Sequence, residues 1–468
     1  MSLSNSKKIN SFKRIFTNKI VLVSILFTLL ILVIFHIGSI IPTPGIKITG
    51  NISSNNFSSM LNLLAGGGMS HLSIFAVGVG PYITAQIIVQ LLSSDLIKPL
   101  SKMAKSGERG KRKMEVITRF LALPFCIAQS YAIIAMLLKS GDGNITIFGQ
   151  SNMTDLSWAE IITLIMIFTG GTYLAIFLGD VITKRGVGQG ITLLILSGIV
   201  SSIVSNFKVA FQTIKSDYDL SSTTNYVSMV LSIMLYTFFF ILLLIACVFI
   251  NDSVRKIPIQ QTGQGLIEKT NDLPFLPIKL NASGVIPVIF ASSLMTIPTT
   301  VSQFLPSSNE GKWFIDNYMQ IEQPFGLSLY TVLIILFSFF YSYVQINPAN
   351  LAENFQKGGK FIPGVKSGIS TEKHITKVLM RINWIGSPFL AIVAGLPYVV
   401  SMITKIPSGL AMGGTGIIII VTGSIDLWNS ILSNSTASGY TVDRVKIESQ
   451  IYEGKKTKKS DKDDFKLW

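Results

Sequence analysis

Residues 20–41 read IVLVSILFTLLILVIFHIGSII, with Lys7, Lys8, Lys13, Arg14 and Lys19 in the tail before them. As a helix this largely apolar run of 22 residues reaches about 33 Å, enough to cross a hydrocarbon core of about 30 Å. A cleaved leader has a shorter apolar core and a small-residue cleavage site, so the run predicts a retained first membrane span. Further apolar stretches follow near 75–93, 115–138, 158–178, 187–205, 225–250, 284–304, 326–345, 379–400 and 408–432, giving ten in all. With the first tail in the cytosol, 33 of the 39 Lys+Arg fall in that tail, the even-numbered connections with their adjoining span ends, and the last tail; 6 fall in the odd-numbered connections. Basic residues collect on the cytosolic side of multi-span proteins, so both termini are expected in the cytosol of a cell carrying this protein in its plasma membrane.

Composition points the same way. The chain is 49% hydrophobic and 13% charged, where a soluble domain carries about 25% charged residues. Its formal charge of +15 divides into +17 inside and −2 outside. A one-sided basic surface suits anionic lipid heads, ribosomal RNA or an acidic cytosolic partner, and is unlike a DNA-binding surface. Cys126 and Cys247 lie inside apolar stretches without metal-ligand spacing and read as packing residues. Trp158, Trp384 and Trp428 stand at or near span ends, where interfacial aromatics belong.

The expected organisation is a tail over 1–19, an N-terminal half over 20–205, an external connection over 206–224, a C-terminal half over 225–432 and a tail over 433–468. Five spans per half would make any repeat inverted, a plan common among transport proteins. The long inner loops are 251–283 and 346–378.

Two places resist a simple reading of spans. Asn55–Ile74 is too polar to cross, yet Phe57, Met60, Leu61, Leu63 and Leu64 recur at helical spacing and Gly66, Gly67 and Gly68 break the pattern. A movable re-entrant helix and a helix lying on the outer surface both fit, since non-helical backbone at membrane depth needs shelter or water. The next span opens irregularly with Gly78-Val79-Gly80-Pro81. Val79 and Ile83, like Ile191 and Ile195, stand four apart and share a helix face; by itself such a stripe faces lipid or core.

No Asp, Glu, Lys, Arg or His is well placed at the centre of a span. Ion- and proton-coupled carriers keep such a residue to bind the coupling ion, which argues against the alternative of a secondary carrier for a small solute. Thr84, Gln86, Gln90, Gln129, Ser292 and Ser293 are uncharged polar residues in spans, a pattern that helix-to-helix hydrogen bonds also produce. No catalytic constellation, metal-ligand cluster or phosphate loop is visible, and the glycine-rich run 186–190 lies between spans rather than after a strand. The chain reads as no enzyme, with no catalytic residue, metal or cofactor.

Several long motifs carry a resemblance. Gly284-Val285-Ile286-Pro287-Val288-Ile289-Phe290-Ala291-Ser292-Ser293-Leu294, Asn347-Pro348-Ala349-Asn350-Leu351-Ala352-Glu353-Asn354, Phe361-Ile362-Pro363-Gly364 and the run from Pro81 to Leu92 resemble the bacterial-type SecY family, the central subunit of the Sec protein-translocation channel. Residues 107–113 and 186–191 look like it too, and the match runs in order from about residue 20 to 430.

The resemblance implies an all-α membrane fold: ten transmembrane helices in two pseudo-symmetric five-helix halves around a central pore, with a short plug helix. It makes Asn55–Ile74 the plug, with Phe57, Met60, Leu61, Leu64 and Gly66–Gly68 as its working residues. Val79, Ile83, Ile191, Ile195, Ile289 and Ile419 become a pore ring. Thr84, Gln90, Gln129, Ser292 and Ser293 resemble positions lining a lateral gate. Arg255, Lys256, Lys357, Lys360 and Lys366 fall in loops that resemble a docking platform for the SecA ATPase and the ribosome. Gly263-Gln264 stands where relatives commonly carry a basic pair, and Lys366 where they carry an arginine, losing that residue's planar fork of donors. SecE-like and SecG-like small subunits, unfolded secretory and membrane polypeptides, and membrane lipid complete the implied partners.

Overall fold

The computed structural model describes residues 19–48, 72–93, 98–140, 145–150, 156–201, 223–262, 274–306, 309–321, 323–404 and 415–435. All seven residues expected to work in the plug, from Phe57 to Gly68, lie outside them. A helix occupies each of the ten apolar stretches. In the N-terminal half these are α1 (Lys19–Ile40), α2 (Gly80–Leu91), α4 (Glu108–Ser140), α5 (Trp158–Arg185) and α6 (Gly190–Ser201), with the short α3 (Lys98–Lys105) ahead of α4. The C-terminal half supplies α7 (Thr223–Asp252), α8 (Ile286–Phe304), α10 (Pro324–Ile346), α12 (Ile369–Thr404) and α13 (Thr415–Ser435). Between α8 and α10 lie α9 (Glu310–Phe314) and a π-turn (Ile315–Met319); α11 (Pro348–Lys357) follows α10.

Among the described residues, 6 helices are long and apolar enough to cross a membrane: α1, α4, α5, α10, α12 and α13. Their outer faces are greasy. Val23, Leu26 and Leu29 of α1, Phe120 of α4 and Phe177 of α5 all stand open, a cost in water that vanishes against acyl chains.

The second apolar stretch is only partly helix. Gly78 takes φ 62°, which ends any regular approach from the N-terminal side, and Pro81 sits in the first turn of α2, where its missing N–H costs nothing. Residues 72–79 therefore run as buried turns. Leu72, Ala76 and Val77 pack with Ile133, Ile134 and Leu137 of α4 and Leu164 and Phe168 of α5, and Thr43 Oγ1 donates to the Leu72 carbonyl at 2.7 Å. Strand β1 (Ile46–Ile48) pairs antiparallel with β2 (Ile145–Ile147), bracing the same end.

At the opposite, basic end, the two long loops join. β3 (Val254–Pro258) pairs antiparallel with β5 (Phe275–Lys279), and β4 (Gln260–Gln261) pairs with β6 (Lys360–Phe361) of the other loop. Asn347 turns the chain from α10 into α11: at φ 43° its side chain caps α11 by accepting from the Asn350 N–H at 3.2 Å, and Pro348 starts the helix.

Buried polar groups bind the C-terminal half internally. Ser387 of α12 donates to Ser338 of α10 at 2.9 Å, and Ser338 shares a hydrogen bond with Ser283 at 3.0 Å. Ser283 donates to Asn281 at 3.2 Å, Asn281 to Asn251 of α7 at 2.9 Å, and Asn251 to the Cys247 carbonyl at 3.0 Å. A hydroxyl or amide buried without such a partner would cost about 1–3 kcal/mol, so the chain of contacts favours one arrangement of α7, α10, α12 and the turn that leads into α8. Among the described residues, ion pairs between separate elements also stay within one half: Arg119 of α4 with Asp180 of α5, and Lys279 of β5 with Asp426 of α13.

Candidate functional site: the seam between the halves

The halves meet along two lines. On one side α8 packs against α2 and α4. On the other, α13 lies so close to α6 that a Cβ on Gly423 would meet Leu196 at 2.5 Å, and one on Gly416 would meet Ile199 at 3.2 Å.

Between these lines sits the largest apolar cluster. Val79, Ile83, Ile195, Ile289 and Ile419 are all at most 5% exposed and belong to it, while Ile191 is partly buried against it. Val79 caps α2, Ile83 lies on its first turn, Ile191 and Ile195 come from α6, Ile289 from the first turn of α8 and Ile419 from α13. Four elements from two halves thus contribute to one apolar region, and their side chains offer no hydrogen-bond partner.

The uncharged polar residues lie beside this region. Thr84 is buried and donates to the Gly80 carbonyl at 3.1 Å. Ser292 donates to the Val288 carbonyl at 2.9 Å and stands 3.4 Å from the Tyr330 hydroxyl of α10. Both bonds remain inside one half. Ser293 Oγ and Gln129 Oε1 are buried with no hydrogen-bond partner among the described residues, and Gln90 is half-buried on α2. Where α4 and α8 touch, the Tyr131 and Phe304 rings stack with centroids 4.8 Å apart and planes 20° from parallel.

Pro298 lies inside α8 and cannot donate to the Leu294 carbonyl one turn earlier; around it the hydroxyls of Thr296, Thr299 and Thr300 donate to the carbonyls of Ser292, Met295 and Thr296.

The five basic loop residues sit at the basic end, all exposed. Arg255 and Lys256 are on β3, and the Lys256 Nζ stands 4.7 Å from the Phe275 ring centroid. Lys357 pairs with Glu353 one turn earlier at 2.6 Å. Lys360 is on β6 and Lys366 in the turn before α12. Gly263 and Gln264 lie outside the described residues.

Sequence reading missed the Tyr131–Phe304 contact and the Arg119–Asp180 pair. Each joins residues remote in the chain, and the only hint in the sequence was an unneutralised charge or ring near a span end.

A family model described as SecY matches residues 73–428. The protein translocase subunit SecY of Mycoplasmoides gallisepticum is 49% identical over 458 residues, covering 96% of this chain and 90% of that protein. That of Mycoplasma pneumoniae is 48% identical over 464 residues, covering 98% and 95%. Among solved structures, one described as a protein conducting channel aligns with TM-score 0.62 at 18% identity, covering 88% of this chain and 91% of that one. Sec61 in a canine ribosome-channel complex from the endoplasmic reticulum aligns with TM-score 0.59 at 17% identity, covering 88% and 91%.

Proposed function

The chain belongs to the SecY family of multi-pass membrane proteins and has the helical fold of that channel, and on that footing we propose how it conducts polypeptides. It is a passive, gated channel with no chemistry of its own. Ten helices in two five-helix halves enclose an hourglass path, closed on the outside by the plug around 55–74 and narrowed by the ring of Val79, Ile83, Ile191, Ile195, Ile289 and Ile419. The observation that carries this reading is the gathering of those six side chains, from both halves, into one apolar cluster. A ring without hydrogen-bond partners dewets and so hinders ions, and it holds no particular substrate side chain; unfolded chains of any sequence pass.

Sideways release follows from the contrast between interactions within and across the halves. Ion pairs and the serine–asparagine chain hold each half together. The seam of α2 and α4 against α8 has apolar packing, single hydroxyls and one aromatic stack, which an apolar signal helix can replace by its own packing before moving into lipid. Both termini face the cytosol, and Arg255, Lys256, Lys357, Lys360 and Lys366 form the platform for a SecA motor or a ribosome. SecE-like and SecG-like subunits embrace the bundle from the membrane.

The carrier alternative is separated by reconstitution. Proteoliposomes holding the chain, its small subunits and a SecA motor should protect an unfolded secretory precursor from protease only when ATP is supplied, and should take up no small solute by themselves. Motor-independent solute uptake without precursor protection would reverse the assignment.

A further inference from the structure

The segment between α8 and α10 carries aromatic rings in a place where water would be a poor solvent for them. Trp313 is 60% exposed, Phe314 47% and Tyr318 44%. The π-turn over Ile315–Met319 explains why they gather. By widening the helix it sets residues five apart on one face, so Trp313 and Tyr318 lie 5.6 Å apart between ring centroids, and Phe314 stacks on Tyr318 at 5.5 Å. π-Turns of this kind recur at functional positions.

The patch is fixed in height. The π-turn packs on both α8 and α10, Ile321 seats against the main apolar cluster, and Gly326 of α10 lies so near the Gln320 carbonyl that a Cβ would overlap it. The rings therefore stand level with the last residue of α8, Phe304, and the second residue of α10, Phe325, themselves 49% and 51% exposed. Exposed Glu310 and Asn317 border the patch on the same segment, and the Asn317 side chain bonds back to the Trp313 carbonyl at 2.9 Å. Trp and Tyr with an apolar body and a polar tip, level with the ends of apolar spans, match the membrane–water interface better than bulk water or the acyl core.

We propose that Trp313, Phe314 and Tyr318 form an interfacial anchor that inserts into the outer-leaflet headgroup region, the partner being the lipid surface itself. The anchor fixes the outer ends of α8 and α10 to the bilayer, beside the line where α8 meets α4. Its occupancy by lipid does not depend on how the channel conducts.

The test uses the full chain with its small subunits in vesicles of zwitterionic and anionic phospholipid. Trp158→Phe, Trp384→Phe, Trp428→Phe and Trp468→Phe leave Trp313 as the one tryptophan of this chain, read against small subunits whose own tryptophans are replaced by phenylalanine. Its emission should be blue-shifted, resistant to aqueous acrylamide, and quenched more by lipids brominated near the headgroup than by lipids brominated deep in the chain. The wild-type minus Trp313→Phe difference spectrum gives the same readout should the fourfold variant fold poorly. Acrylamide quenching with a red-shifted maximum would place the ring in water. Blue emission untouched by any brominated lipid would mean that protein covers it, and stronger quenching by deep bromines would put it among acyl chains. Each of those three results overturns the proposal.

Discussion

Ser338 and Ser342 stand one turn apart on α10, and both are at most 2% exposed. Ser338 joins Ser387 to Ser283, whereas Ser342 Oγ has no partner among the described residues. Chemically identical substitutions should therefore differ. Ser338→Ala leaves the buried Ser387 hydroxyl without its acceptor, while Ser283 keeps its bond to Asn281, and should lower stability by about 1–3 kcal/mol; Ser342→Ala removes an unsatisfied group and should be neutral or slightly stabilising. Thermal unfolding of the purified complex in detergent measures both; equal losses would show that the serine chain does not carry the stability assigned to it. None of this was legible in the sequence. The spans announce serines at membrane depth, but which of them finds a partner depends on registers between helices that are separated by whole loops. Arg119 and Asp180 are the same case: each reads as a charge near a span end, and only the packing of α4 on α5 pairs them.

At the scale of elements, the apolar runs mark the helices well because the bilayer demands length and hydropathy from each span separately. The second stretch shows where that reading weakens. Gly78, Gly80 and Pro81 announced an irregular start, and the turns at 72–79 followed from them, but their burial between α4 and α5 did not. The short β4–β6 pairing was hidden too, since two-residue strands carry no pattern. The stack of Tyr131 on Phe304 bears on the proposed gate. Both rings would meet acyl chains if α4 and α8 parted, so separation costs only the stacking itself, about 0.5–1.5 kcal/mol. Tyr131→Ala or Phe304→Ala should therefore raise export of precursors with weakened signal sequences by about 2–10-fold, and the double variant should add little beyond either single one. Additive gains, or no gain, would show that the pair does not hold the seam.

For the whole molecule, the same sequence features divide into those that a membrane imposes and those that a moving polypeptide requires. Greasy outer faces, basic connections and interfacial tryptophans belong to any multi-span protein. Ion pairs and buried polar chains kept inside each half, with an apolar cluster drawn from both, are what the proposed opening conduit needs. Six aliphatic residues spread from 79 to 419 could be read as a set only through family motifs, because each alone is an ordinary core or lipid-facing side chain. The direct measurement is a secretory chain stalled in transit, with a photoreactive amino acid replacing Ile83 or Ile289 and, as a control, Val23 on the outer face of α1. Crosslinks to the stalled chain from positions 83 and 289 but not 23, dependent on an active motor, are the predicted result; crosslinks absent from both, or no stronger than from position 23, would contradict it.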